Sequence, residues 1–270
     1  MVVTFPDLGR VGRLGNQLFQ IASTIGIAER RGLEPRFPEW DYSSIFSLPQ
    51  QMFGQSSELQ INAVDCVPEI DERERVYLQS VELFDHMRDR IREYFAPSAE
   101  ALDILSPNLE TLAALPSPIV SLHVRRGDKL THPEYHPIRS VEYYADALAR
   151  MEKVGSVAIF SDDPAWCSRV LAPRLGIEAA FYGSGVVRSH DLNQYGLDGP
   201  IDWQDLFLMS RCDYHIISNS TYAWWGAYLS DDPHPYYPDN WFGRELPHAQ
   251  SELLFPDNWI QVHDATQGGI

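Results

Sequence analysis

The stretch HVRRGD, His123 to Asp128, sets an imidazole and two adjacent guanidiniums directly after the apolar run that begins at PIV, Pro118 to Val120. Guanidiniums grip phosphate and carboxylate with paired hydrogen bonds. The chain has 21 Lys plus Arg against 38 Asp plus Glu, a formal net charge of -17. Its general field therefore repels polyphosphates and anionic headgroups, which argues against nucleic acid as a partner and makes a local cationic cluster informative. Side chains alternate along an extended strand, so His123 and Arg125 share one face and Arg126 takes the other. Arg125 is the ligand candidate. Arg126 supports it or pairs with a neighbouring carboxylate.

A second cluster answers the first. SNST, Ser218 to Thr221, precedes a helical pattern and supplies hydroxyls and backbone N–H groups where a helix start stabilises phosphate. Read alone it is an N-cap; read with the arginines it is the other half of a diphosphate clamp. Asp162 and Asp163 admit a metal-bridging reading, but Asp before Pro at a helix start is ordinary capping, and adjacent side chains diverge. The histidines form no HExxH motif, and Cys66, Cys167 and Cys212 have no ligand spacing. A reducing cytoplasm suits such cysteines. GRVGRLG spaces its glycines as GxxGxxG, and GxxxxGK[ST] is absent, so neither a dinucleotide fingerprint nor a Walker loop is present. Gly15-Asn16-Gln17 nevertheless places an amide at a helix start, from which Asn16 could reach a bound ligand across a cleft. YAWWGAYL reads as packing, with Trp225 facing an acceptor as the other reading.

Elements must hold these groups in place. VVTF, the glycine turn, and Leu18, Ile21, Ala22, Ile25 and Ala28 at helical spacing predict strand, loop and helix. Residues 37–68 show no period and predict loops and short elements, and VELFDHMRDRIREYFA predicts an amphipathic helix. After the LPSP break, IVSLHV, SVAIFS, AAFY, YHIIS and PYYP read as strands. SVEYYADALARM, DDPAWCSRVLAPRL, DWQDLFLMSRC and STYAWWGAYL read as helices between them. Such alternation predicts right-handed crossovers and a parallel sheet whose ligands bind beyond the carboxyl ends of its strands. The domain break is expected at 117/118, giving domains 1–117 and 118–270, with the final residues free to pack back on the first. No apolar run reaches the length of a spanning helix, so membrane contact is at most peripheral.

GRLGNQLFQIA, HVRRGDK, FSDDPAWC and above all DLFLMSRCDYHIISNSTYAWWGAYL resemble the alpha-1,2-fucosyltransferases of glycosyltransferase family eleven, a likeness that continues through PYYPDNWF to FPDNWIQV. Lys129 departs from it, standing where tyrosine is common. The resemblance implies an α/β, GT-B-like fold of two Rossmann-like domains with parallel sheets facing across a cleft. The C-terminal one would hold GDP-fucose, and the N-terminal one would carry the acceptor side and the glycine loop. It implies an inverting transferase moving L-fucose from GDP-beta-L-fucose to a hydroxyl of a galactose-containing glycan, O2 of a terminal galactose first. Neither cofactor nor metal is implied. Arg125 would contact the beta-phosphate, His123 ribose or phosphate, Ser220 and Thr221 phosphate oxygens, and Asp205 the guanine edge. Gly15, Asn16 and Asn219 complete the donor set, with Asn16 close to fucose. Asp128 is the candidate base and Glu134 its alternative. The competing readings are another linkage or related GDP-sugar, and a GDP-sugar-binding module without catalysis.

Overall fold

The computed structural model describes residues 1–71, 75–183, 202–232, 234–246 and 251–264; the side chain of Asp128 lies outside the described residues. The chain divides into two compact units. The first is Met1–Ile104 with residues 251–256, and the second is the described residues from 105 to 246 with 257–264.

In the first unit, β1 (Val2–Thr4) lies between β2 (Glu34–Arg36) and β3 (Gln60–Asn62) in a parallel three-stranded sheet. The expected strand, glycine turn and helix are all present. The helix α1 (Leu14–Arg30) buries nearly all of its length, from Leu14 to Ala28 apart from Asn16. VELFDHMRDRIREYFA departs from expectation: only α2 (Arg88–Tyr94) is α-helical, and 3-10 turns at Val81–Leu83 and Asp85–Met87 precede it. The cause is tertiary. The Leu83 carbonyl lies 2.1 Å from where a Cβ on Gly26 of α1 would stand, so this backbone is laid directly against α1, and Phe84 takes φ -137° to do so. The helix α3 (Ala99–Ala113) follows, and the division between the units falls within it.

The second unit holds the sheet that alternation predicts. Its strands are β4 (Ile119–Val124), β5 (Ser156–Ser161), β6 (Ala179–Tyr182), β7 (Tyr214–Ile216), β8 (Tyr236–Pro238) and β9 (Ile260–Val262). Every described pairing is parallel, and the order is β6-β5-β4-β7-β8-β9. Numbered from β4, this is 3-2-1-4-5-6, the doubly wound order that reverses direction between its first and fourth strands. The reversal lies between β4 and β7.

All six residues of β4 are buried, as befits a central strand covered on both faces. Val120, Leu122 and Val124 join the core that includes Tyr143, Tyr144 and Ala147 of α4 (Val141–Ala149), while Ser121 and His123 occupy the alternate positions. Beyond β5 come α5 (Pro164–Trp166), a π turn at Cys167–Leu171, and α6 (Ala172–Leu175), which ends on Gly176 in the left-handed conformation. The helix α7 (Trp203–Met209) precedes β7, and α8 (Thr221–Tyr228) follows it. The α8 helix is apolar all round and correspondingly buried from Ala223 to Tyr228. Trp225 is fully buried and packs edge-on against Trp224 and Tyr228, so the acceptor-facing reading of its side chain does not hold.

Candidate active site

The carboxyl ends of β4, β5 and β7 carry the residues that the sequence singles out. Strand β4 stops at Val124, so Arg125 and Arg126 begin the following loop and do not continue the strand. The register places Val124 opposite Ser161, which brings the two arginines alongside Asp162 and Asp163. Arg125 Nη1 stands 2.8 Å from Asp162 Oδ2. This is an ion pair, not an aligned hydrogen bond, since Oδ2 has no hydrogen-bond partner among the described residues. The other oxygen, Oδ1, accepts the Arg126 N–H at 2.8 Å. Gly127 makes the arrangement fit, because a Cβ there would lie 2.5 Å from Oδ2.

Arg126 is the supporting cation. Its Nε lies 3.3 Å from Asp163 Oδ2, and its guanidinium lies 3.9 Å from the centre of the Trp166 ring. Asp163 also caps α5, accepting the Trp166 N–H at 3.0 Å. Both aspartates are thus committed to arginines and backbone, and Arg126 takes Asp163 as its carboxylate partner. Among the described residues, no group of three His, Cys, Asp or Glu side chains is arranged to hold a metal ion.

His123 meets the opposite side of the strand-order reversal. Its Nδ1 lies 2.9 Å from the Ser218 hydroxyl, and Tyr222 of α8 stands 6.2 Å away, ring centre to ring centre. Burial, with Arg125 and Lys129 nearby, pushes His123 down to about 3, so the ring is neutral at ordinary pH. Ser220 occupies the N-cap position of α8 in extended conformation, yet its side chain makes no capping bond. The plain capping reading of SNST therefore does not describe its hydroxyl.

Lys129 is buried, unusually for a lysine. Its ammonium donates to the Asn219 backbone oxygen and, at 2.8 Å, to Asn219 Oδ1. Asn219 Nδ2 in turn donates to the Trp241 carbonyl at 3.0 Å. The Asn219 side chain thereby ties the loop after β4 to the loop after β8. Glu134 lies farther along that first loop, its Oε1 3.5 Å from His132 Nδ1. Its backbone oxygen accepts the Glu245 N–H, and the Tyr135 oxygen accepts that of Gly243.

Asp205 lies on α7. Burial, with Asp202 as the lesser cause, pushes its carboxyl up to about 6. The last turn of α7 is anchored by His215, whose Nε2 lies 2.9 Å from the Met209 carbonyl and whose Nδ1 lies 3.2 Å from Asp232 Oδ2.

Gly15 and Asn16 belong to the first unit. Asn16 Oδ1 accepts from Gln79 Nε2 at 3.1 Å. The glycine turn before them is braced by amides that sequence reasoning passes over. Gln17 donates to the Gly12 carbonyl while accepting from Trp40, and Gln20 donates to the Val11 and Val76 carbonyls. Gly12 has φ +76°, and a Cβ there would come 2.5 Å from Asn16 Nδ2.

The second unit thus collects a neutral imidazole, a partly exposed guanidinium and a hydroxyl-bearing helix start at one strand-order reversal. The sequence shows Ser218, Lys129 and Asp162 but not their pairings with His123, Asn219 and Arg125, which only the fold brings about.

Comparison with known proteins gives the family and the fold. The family model described as glycosyl transferase family 11 matches residues 74–262. The O-antigen biosynthesis glycosyltransferase WbnK of Escherichia coli is 30% identical over 196 residues, covering 69% of this chain and 59% of that protein. An alpha-1,2-colitosyltransferase of Escherichia coli is 28% identical over 194 residues, covering 69% and 61%. The galactoside 2-alpha-L-fucosyltransferase Sec1 of Mus musculus is 26% identical over 243 residues, covering 81% and 62%. The matches therefore span about three fifths of the length of these curated relatives. Among solved structures, POFUT1 in complex with GDP superposes with a TM-score of 0.50 at 11% identity, covering 97% of this chain and 98% of that one, a likeness of fold. The fold class is accordingly α/β and GT-B-like.

Proposed function

The chain belongs to glycosyl transferase family 11, and from that premise we propose that it transfers L-fucose from GDP-beta-L-fucose to a glycan hydroxyl, O2 of a terminal galactose, with inversion and without a metal. The observation that carries this reading is the gathering of His123, Arg125 and the Ser218 to Thr221 helix start at the β4/β7 reversal. That is where a doubly wound sheet receives a nucleotide, and here Arg125, Arg126 and Lys129 gather in a chain whose net charge is -17.

In the reaction, the fucose C1–O bond to the beta-phosphate breaks as the acceptor oxygen attacks C1 from the opposite face. The bonding pair leaves with GDP, and the acceptor proton passes to a base. Arg125 and the α8 start stabilise the charge that develops on the diphosphate, each good donor contributing a few kcal/mol. Asp162, 2.8 Å from Arg125 Nη1, holds the guanidinium at this strand end by ion pairing. Ionised Asp205 accepts from the guanine edge. Gly15 and Asn16 serve the sugar side of the donor, and Asp128 is the base, with Glu134 as its alternative.

The names of relatives support this choice of linkage, since a galactoside 2-alpha-L-fucosyltransferase is among them. The test is incubation with GDP-fucose and a panel of beta-galactosides in excess EDTA, followed by linkage analysis. An alpha-1,2-fucosylated product supports the reading. Loss of turnover in EDTA with recovery on adding a divalent ion would remove its metal-free part, and GDP binding without any transfer would leave a binding module.

A second reading concerns the donor. The alpha-1,2-colitosyltransferase matches over nearly as many residues as the first relative, which favours trying a colitosyl donor beside the fucosyl one. The sugar whose donor gives the higher kcat/KM on one acceptor decides between them.

A further inference from the structure

The Ser218 hydroxyl is completely buried, and among the described residues its one hydrogen-bond partner is His123 Nδ1. A buried O–H left without an acceptor loses its hydration with nothing in return. A neutral imidazole has one N–H and one bare nitrogen. If Nδ1 held the proton, the serine hydroxyl would be left without an acceptor. The hydroxyl therefore donates to Nδ1, and the ring proton sits on Nε2.

The surroundings keep the ring in that neutral state from every side. Arg125 and Lys129 follow it on its own strand and loop, and burial acts in the same direction. The α8 helix presents Tyr222, an aromatic neighbour. The α4 helix presents Tyr144, whose hydroxyl donates to the His123 carbonyl at 3.3 Å. The nearby carboxylates, Asp162 and Asp163, are paired with Arg125 and Arg126.

We propose that Ser218 is a positioning residue that fixes His123 as the Nε2–H tautomer, so that the ring presents a permanent hydrogen-bond donor to a phosphate or ribose oxygen of the bound nucleotide. Resting on the GDP-sugar reading, it assigns the imidazole to recognition and excludes it as the base that takes the acceptor proton. The β4/β7 reversal is where this matters: the ring comes from one side and the hydroxyl that orients it from the other.

The test uses the full-length, ligand-free protein labelled with nitrogen-15, with long-range proton–nitrogen spectra of the histidine rings and His123→Gln to assign the signal. The expected spectrum shows a bare Nδ1 and a protonated Nε2, unchanged from about pH 5 to about pH 8. A proton on Nδ1, or titration within that window, overturns the proposal without any variant having to fold. Ser218→Ala is expected to give a mixture of tautomers and to weaken GDP binding about tenfold, the scale of one hydrogen bond, with Ser218→Thr restoring both. An unchanged tautomer in Ser218→Ala also overturns it. Absence of GDP binding by the wild type in calorimetry would instead overturn the GDP-sugar reading, and with it the role given to the ring.

Discussion

Lys129 and Asn219 are joined twice: one ammonium donates to both the backbone carbonyl and the side-chain Oδ1 of the same residue. Asn219 stands between Ser218, which meets His123, and the start of α8, so the lysine fixes the backbone of the whole SNST corner. Its single charge is used for geometry.

Replacing Lys129 by Met leaves two buried acceptors without a donor. We expect a stability loss of about 2–4 kcal/mol, from unsatisfied acceptors that were bonded to a charged group, together with a fall in turnover at saturating donor. Urea titration and kcat measured well below the melting point check the two effects separately.

Arg125→Ala removes a partly exposed side chain whose partner, Asp162, still holds the Arg126 backbone. Stability should fall by about 1–3 kcal/mol, because the buried Asp162 Oδ2 loses its ion-pair partner. Activity should fall by about 10²- to 10³-fold in kcat/KM, the usual loss for one donor to a developing negative charge. Arg125→Lys should recover little, because an ammonium cannot hold Asp162 and phosphate in one plane. Full activity in Arg125→Ala would remove the arginine from the mechanism.

Asp205 gives a pH dependence with a definite sign. Its carboxyl is raised from 3.8 to about 6, chiefly by burial, and on the proposed reading guanine recognition requires the ionised form. GDP affinity should be level above pH about 7 and fall about tenfold per unit below about 6, as protons compete for the carboxylate. In Asp205→Asn the binding should be weaker and flat with pH. Stability runs the other way. The native state takes up the proton before the unfolded chain does, so this residue's contribution to stability grows as pH falls from about 6 toward 4. Calorimetric titration with GDP across this range measures the first effect, and melting temperature of wild type against Asp205→Asn measures the second.

Gly127→Ala would put a methyl group into the Asp162 carboxylate, at a separation of 2.5 Å from Oδ2. The carboxylate must then move off Arg125, and we expect kcat/KM to drop at least about tenfold. At Gly12, where φ is +76° and a Cβ would meet the Asn16 amide, alanine should cost about 1–3 kcal/mol in stability. The two variants should differ on removing donor: Gly127→Ala weakens GDP binding, whereas Gly12→Ala loses stability whether or not GDP is present.

The second unit was readable where its strands are buried on both faces. IVSLHV and SVAIFS are mostly apolar runs, and their spacing by helical segments favours a parallel sheet. The arginines and SNST were readable because charge and hydroxyls are conspicuous beside such runs. The pairing of Arg125 with Asp162 was not, since it follows from the register that sets Val124 against Ser161, a property of two strands together. The burial of Lys129 was not legible because a lysine in a loop is ordinarily solvated; only the fold shows it covered. The turns before α2 were read as helix because their apolar spacing is helical, and the backbone of Leu83 pressed against Gly26 overrides that period.

His123 and Ser218 are separated by 95 positions along the chain, and their meeting depends on β7 docking beside β4, the step at which the sheet reverses direction. Strands β4, β5 and β6 can pair through short crossovers, whereas β4 with β7 closes a far longer loop, which costs more chain entropy. A nascent or partly folded chain therefore has the arginines but no receiving corner for a nucleotide. On the proposed reading, competence to hold the donor arrives with the pairing of β7 beside β4, and a bound nucleotide would act as a latch on that pairing.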